Sequence, residues 1–381
     1  MTDIFLAHIL AVTGGSNSLP VVGNPATALV FALLFTAAIL LLYLVIDHLP
    51  KPRKNRITPR NEPKYAKAMI AIVILSMLSI SWDVWWHRAI GRDSLWIWPH
   101  IGIYSFTSIA IALGFYVWRH CRDPLWKHVM FVLLFIPISL VFDNYFHSIF
   151  GVENYANPIR LSWSPGHVML GLSIMFTLVL LLEILLKFRK TPDFSFFGSL
   201  CFGGIFPVVF VLLLPFHPTE GWGQVAGFAG AGMLAAGFLV VAFTAEKVMA
   251  GNLDATFMSI FSLMILLTTY GKETAPQIVM MPHDRPPIWL FIFSFLVPAI
   301  LLDLTKDRFQ MWTRGLFAGT VWSAILFGFS TQFFAPKFQY GLPEIFTAIV
   351  FSALGGLAVG SAFSLFHLTD EKHLEKLLKK W

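Results

Sequence analysis

The chain has 381 residues, 57% of them hydrophobic and only 13% charged, with a mean hydropathy of +0.72. Ordinary globular domains carry about 25% charged residues, so this composition excludes a soluble enzyme, a disordered chain and a disulfide scaffold. The formal net charge of +6 is what basic cytoplasmic loops give a membrane protein, and no nucleic-acid partner is expected from it.

From the N-terminus, the stretch MTDIFLAHILAVTGG has no basic segment, and His8 interrupts its short apolar run. No cleaved signal peptide is expected there. A helix needs about 20 apolar residues to cross a bilayer. Apolar runs of that order fall near 27–47, 68–88, 99–118, 126–148, 165–186, 195–215, 224–246, 255–270, 287–304, 312–334 and 342–366. They predict an all-α polytopic integral membrane protein of about eleven transmembrane helices. The runs 255–270 and 287–304 are the shortest. The two cysteines, Cys121 in a basic loop and Cys201 in an apolar run, are expected as reduced thiols, too few for a framework.

Basic residues concentrate on cytoplasmic loops, which orients the chain. The loop after the first run carries Lys51, Arg53, Lys54, Arg56, Arg60, Lys64 and Lys67. With that loop inside and the helices alternating, only Arg88, Arg92, Arg160, Lys272, Arg285 and Lys337 fall outside, and 21 of the 27 Lys and Arg residues fall inside. The reading is N-terminus out, C-terminus in, in a cytoplasmic (inner) membrane. Three segments are expected: a helical half at 1–190 bearing a metal site, further transmembrane helices at 191–366 with no assigned role, and a cytoplasmic amphipathic tail at 367–381. Gly227, Gly230, Gly356 and Gly360 stand at small-residue spacings that let membrane helices approach closely.

Ionisable residues within or beside spans are costly, and their positions carry the chemistry. Asp83 and His87 close the second run, four apart and therefore on one helical face. After a short loop, His100 follows Pro99 at the start of the third run. The device recurs sixty residues later: Asp143 and His147 close the fourth run, and His167 follows Pro165 and Gly166 at the start of the fifth. One Asp-x-x-x-His is more often a helix-surface pair. Two of them, on consecutive outward-going helices and on the same side by an orientation drawn from Lys and Arg alone, point to a metal site at the outer face. The expected ligands are Asp83, His87, His100, Asp143, His147 and His167. Imidazole and carboxylate donors suit copper, with iron or zinc as alternatives. His217 lies on the same side, and Arg92, Asp93 and Glu153 are candidates for orienting the ligands. Trp82, Trp85, Trp86, Trp96, Trp98 and Trp163 crowd the same region, as interfacial belt residues do.

The stretch DVWWHRAIGRDSLWIWPH resembles the copper membrane monooxygenases, the family of particulate methane and ammonia monooxygenase, and their C subunit first. The matching residues are Asp83, His87, Arg92, Asp93 and His100. Asp143 and His147 stand where the family has an Asn and a His, and His167 where it has a further His after a Pro. Fainter echoes of the A subunit occur around RDSLWIWP and YVWRHCRDPLW. The resemblance covers about residues 65–190. Ile103 replaces an acidic residue expected one turn after His100, and 195–381 adds about six helices that the C subunit lacks, so the chain is divergent and longer.

This resemblance implies a copper-dependent monooxygenase subunit that hydroxylates a small apolar substrate or ammonia with O2. Partners would be the lipid bilayer and other monooxygenase subunits, including one with a cupredoxin-like domain. An alternative is a non-enzymatic metal-binding or transport protein using the same outer-face cluster. Transport would require ligands through the bilayer, and none is evident in the middles of these runs.

Overall fold

A computed structural model of the chain describes residues 24–49, 57–89, 96–150, 164–213, 229–249, 251–268, 288–328 and 341–365; for 47, 87–89, 147, 148 and 150 it describes the backbone only. Among the described residues there is no strand. The helices are α1 (Pro25–His48), α2 (Glu62–Ala89), α3 (Trp98–His120), α4 (Leu125–Phe150), α5 (Pro165–Leu186), α6 (Phe194–Leu213), α7 (Ala229–Met249), α8 (Asp254–Leu267), α9 (Ile288–Leu304), α10 (Met311–Ser323) and α11 (Leu342–Leu365). A helix stands at each apolar run. Eight of them, α1 to α7 and α11, are long and apolar enough to cross a membrane, whereas α8 and α9 are shorter apolar helices. The run 312–334 departs from a plain helix: after Ser323 it continues as a π-helix, Ala324–Gly328. The expected tail, 367–381, lies outside the described residues.

The helices are built for lipid. α1 starts with the Asn24 side chain accepting from the Ala26 N–H at 2.9 Å and with Pro25 in the first turn. It then exposes Val30, Leu34, Leu41 and Leu44, each more than half exposed. Such a surface is stable only where hydrocarbon replaces water, and the helix satisfies its own backbone.

The chain forms two compact units whose boundary falls inside α5, between Leu180 and Leu181. In the first unit, α1 packs on α4, α2 on α3, and α3 on α4. One end is tied by polar groups: the Trp126 indole N–H donates to Glu62 Oε1 at 2.9 Å, and the Ile57 N–H donates to the His120 carbonyl at 3.2 Å. In the α3–α4 connection, burial pushes the Cys121 thiol up to about 11, opposed by a backbone hydrogen bond at Asp123 and reinforced by the Glu62 carboxylate. The thiolate is the reactive form. Alkylation of Cys121 by a maleimide at pH 7.4 is therefore expected about 100-fold slower than at an ordinary thiol of pKa about 8.5–9, rising about tenfold per pH unit to pH 10. Mass-spectrometric labelling rates check this, and a rate like that of an exposed thiol would contradict it.

In the second unit, α7 packs on α6, α8, α10 and α11, and α9 on α8 and α10. The tightest seam is α10 against α11. A Cβ on Gly315 would lie 2.2 Å from the Gly356 carbonyl oxygen, on Gly319 2.3 Å from that of Ser352, and on Gly360 2.3 Å from that of Met311. Each step of four up α10 matches a step of four down α11, so the helices run antiparallel, backbone on backbone. On the adjoining face of α11, a Cβ on Gly355 would meet the Gly232 carbonyl of α7 at 2.5 Å. Small residues make this approach possible where hydrocarbon supplies no hydrophobic drive between helices.

Four helix termini of the same unit meet around buried charges. Arg314 and Glu246, each 2% exposed, form a two-pronged ion pair: Arg314 Nη1 donates to Oε1 at 3.0 Å and Nη2 to Oε2. Nη2 also donates to the Leu302 carbonyl at 2.7 Å, and the guanidinium lies 5.5 Å from the Phe243 ring. Asp303, on α9, caps α8 from outside: it accepts from the Ala255 N–H at 3.2 Å, the Thr256 N–H at 2.8 Å and the Thr256 hydroxyl at 2.6 Å. Lys306 donates to the Gly251 carbonyl at 2.7 Å and stands 3.8 Å from Asp254.

Candidate metal centre

The penultimate turn of α2 carries Asp83, and the first turn of α3 carries His100. Pro99 suits this start, because a helix's first turn has no use for its missing N–H. His100 Nε2 lies 3.1 Å from Asp83 Oδ1, with both side chains largely buried. One turn deeper, Gly102 faces Ser79: a Cβ on Gly102 would lie 2.6 Å from the Ser79 hydroxyl. That contact draws the two helices together beneath the pair. Trp82, Trp86 and Trp85 stand edge to face on α2, and the Tyr104 ring lies 5.9 Å from His100 and 6.4 Å from Trp96. Trp96 and Trp98 are 70% and 67% exposed, as belt residues are.

The second pair repeats the first with better fixation. His167 Nε2 lies 3.5 Å from Asp143 Oδ1, between the start of α5 and the end of α4. Ser164, fully buried, caps α5: its hydroxyl accepts the His167 N–H at 3.1 Å and donates to Asp143 Oδ1 at 3.3 Å. Gly166 lets the backbones touch, since a Cβ there would lie 2.5 Å from Asp143 Cβ and 2.8 Å from its backbone nitrogen. Only glycine fits between them.

The structure thus brings Asp83 to His100 and Asp143 to His167, each across consecutive helices. The side chains of His87 and His147 lie outside the described residues, as do Arg92, Asp93, Glu153, Trp163 and His217. Among the described residues, no group of three or more His, Cys, Asp or Glu side chains is placed to hold a metal ion. The chemistry of each pair, one imidazole nitrogen and one carboxylate oxygen, nevertheless suits a borderline divalent or monovalent transition metal. Donors about 2.0–2.1 Å from one ion, at angles from 90° to tetrahedral, lie about 2.8–3.4 Å apart. The separation of 3.1 Å falls in that range and 3.5 Å at its edge.

Sequence reasoning missed Ser164, Gly102 and Gly166. The signal for Ser164 was present in SPGH, a serine before a proline, which reads as a cap followed by the first helical residue. No protein-family model, no curated protein and no solved structure matches this chain.

Proposed function

We propose that the chain is an eleven-span membrane protein, N-terminus out and C-terminus in, that binds copper at the outer ends of α2 to α5. The observation that carries this reading is the pair of contacts Asp83–His100 and Asp143–His167, since the same device twice brings a carboxylate oxygen and an imidazole nitrogen to ligand-like separations. Asp83, His87 and His100 would hold one ion, and Asp143, His147 and His167 a second. Copper would supply activation of O2, for hydroxylation of a small apolar substrate or ammonia by a subunit of a membrane monooxygenase. Partner subunits, one of them cupredoxin-like, belong to this proposal, as does an inner-membrane location.

The protein's own part in such chemistry is positioning. Ser164 holds the Asp143 carboxylate and the start of α5 in one hydrogen-bonded unit, and Gly102 and Gly166 set the helix spacing below each pair. The Tyr104 ring, 5.9 Å from His100, flanks the first pair.

A second reading has its own support. Each Nε2 faces Oδ1 directly, and no third His, Cys, Asp or Glu side chain completes a metal-holding group with either pair among the described residues. The pairs would then be hydrogen-bonded clasps between helix ends with no metal.

The deciding experiment is metal content. The protein is purified in lipid nanodiscs and loaded under reducing conditions, and copper, iron and zinc are counted by mass spectrometry. The wild type is expected to hold one or two copper ions. His87→Ala, His100→Ala, His147→Ala and His167→Ala should each lower affinity at least tenfold, and His283→Ala should not. Ser164→Ala, acting through Asp143 and the α5 cap, should cost about 10-fold, as loss of a ligand-orienting partner does. A wild type that binds no metal would sink the copper reading and leave the clasp.

A further inference from the structure

The chain entering α2 and the α3–α4 connection are held side by side. The Ile57 N–H donates to the His120 carbonyl at 3.2 Å, and the Glu62 carboxyl touches Trp126, Asp123 and Cys121. Residues 57–67 and 119–128 together carry six Lys and Arg side chains against two carboxylates, Glu62 and Asp123. The two signs alternate: Arg60 and Lys64 stand two residues to either side of Glu62, and Arg122 stands next to Asp123.

The fold sorts these charges by depth. Glu62 is 5% exposed and accepts from the Trp126 indole N–H at 2.9 Å. Asp123 is half-buried and accepts from the Leu125 N–H at 3.0 Å, at the start of α4. Arg60, Lys64 and Arg122 are exposed. Arg119 and Lys127 turn instead to the end of α1, where Arg119 Nη1 donates to the Leu49 carbonyl at 2.8 Å and the Lys127 ammonium lies 5.9 Å from the Tyr43 ring. Because Glu62 touches both chain neighbours of Arg122, the three exposed cations flank one contact and share one surface.

An anion reaching this surface meets three cations before it meets either carboxylate. The ends of membrane helices lie at the level of the lipid headgroups, and a basic residue there favours anionic lipid by a factor of about five. A guanidinium matches two phosphate oxygens at once, and a lysine meets them as a point charge. A zwitterionic headgroup carries its own cation beside its phosphate and gains less from such a surface. We propose that Arg60, Lys64 and Arg122 form a docking surface for the headgroups of anionic phospholipid. The proposal rests on α2 to α4 spanning a membrane and is independent of the metal centre. With the orientation proposed above, the lipid belongs to the inner leaflet.

The test counts lipid on the full chain in detergent micelles by native mass spectrometry, with dioleoyl phosphatidylglycerol and dioleoyl phosphatidylcholine as probes. The wild type is expected to bind phosphatidylglycerol at least about tenfold more tightly. The triple variant Arg60→Gln, Lys64→Gln, Arg122→Gln should lose at least about tenfold of that affinity. The charge-keeping variant Arg60→Lys, Lys64→Arg, Arg122→Lys should bind like the wild type. As a control, Lys187→Gln, Arg189→Gln, Lys190→Gln removes the same charge from exposed residues of the α5–α6 connection and should lose less than about twofold. Equal losses in the two glutamine variants would reduce the effect to net charge and overturn the proposal. No preference for phosphatidylglycerol would also overturn it, leaving the surface to an acidic protein. A chain that stays in solution without detergent would overturn it together with the membrane reading.

Discussion

Arg314→Ala is expected to destabilise the second unit by about 3–5 kcal/mol, because it strands the buried Glu246 carboxylate without its counter-charge. Glu246 is 2% exposed and is held by both prongs of the guanidinium. Arg314→Lys should not restore stability: a single ammonium cannot match both carboxylate oxygens and the Leu302 carbonyl at once. Replacing both partners, Arg314→Met with Glu246→Leu, removes the charges together and is expected to be near neutral or stabilising. Thermal unfolding of the four proteins in the same nanodiscs checks the order. A midpoint for Arg314→Ala equal to wild type would mean that the ion pair does not form.

Comparable damage is expected from one carbon atom at Gly356. A Cβ there would lie 2.0 Å from the Gly315 carbonyl oxygen, a distance that only a shift of one helix can relieve. Because backbone faces backbone, no side chain can move aside, and α11 must part from α10 along the Gly315, Gly319 and Gly360 contacts. Gly356→Ala should lower the unfolding midpoint by several degrees, and Gly356→Leu should prevent accumulation of folded protein. Gly114→Ala is the control, since its nearest neighbours would be the ends of the Leu133, Met130 and Met69 side chains at 3.2, 3.5 and 3.5 Å. Alanine is worth about 0.8–1.0 kcal/mol more than glycine inside a helix, so at Gly114 the change should be small or favourable. The opposite signs at the two glycines separate backbone contact from helix propensity.

Apolar run length was enough to place the helices, because a bilayer demands uninterrupted hydrophobic segments and little else. It could not show that the last turn before Gly328 widens into a π-helix, since Ala324–Gly328 is as apolar as an α-helical turn. Gly356 and Gly360 were legible as packing residues by their spacing. Their partners, Gly315 opposite Gly356 and Met311 opposite Gly360, were not, because pairing depends on which helices the fold places side by side. Among the site residues, Asp83, His100, Asp143 and His167 stood out as charges beside spans, and the doubled spacing grouped them. The division into Asp83–His100 and Asp143–His167 contacts needed three dimensions, as did the role of Gly166, whose only signal is contact with Asp143. Arg314 counts with the basic loop residues by position, yet it is buried on Glu246. Asp303, legible as a carboxylate near a helix end, turns out to cap a helix other than its own.

That cap has a consequence for how the chain is made. α8 has 14 residues and spans about 21 Å, less than the ~30 Å of a hydrocarbon core. The carboxylate that satisfies its first N–H groups belongs to Asp303, 48 residues further along, and Lys306, which pins the turn before α8 at Gly251, lies 55 residues on. At a synthesis rate of about 5–20 residues per second, α8 leaves the ribosome about 2–10 s before either partner exists. During that interval the first N–H groups of α8 lack the carboxylate that later accepts from them. α8 is therefore completed only after α9 has been made: its first turn gains its acceptor when Asp303 arrives, and the turn before it gains its donor when Lys306 does.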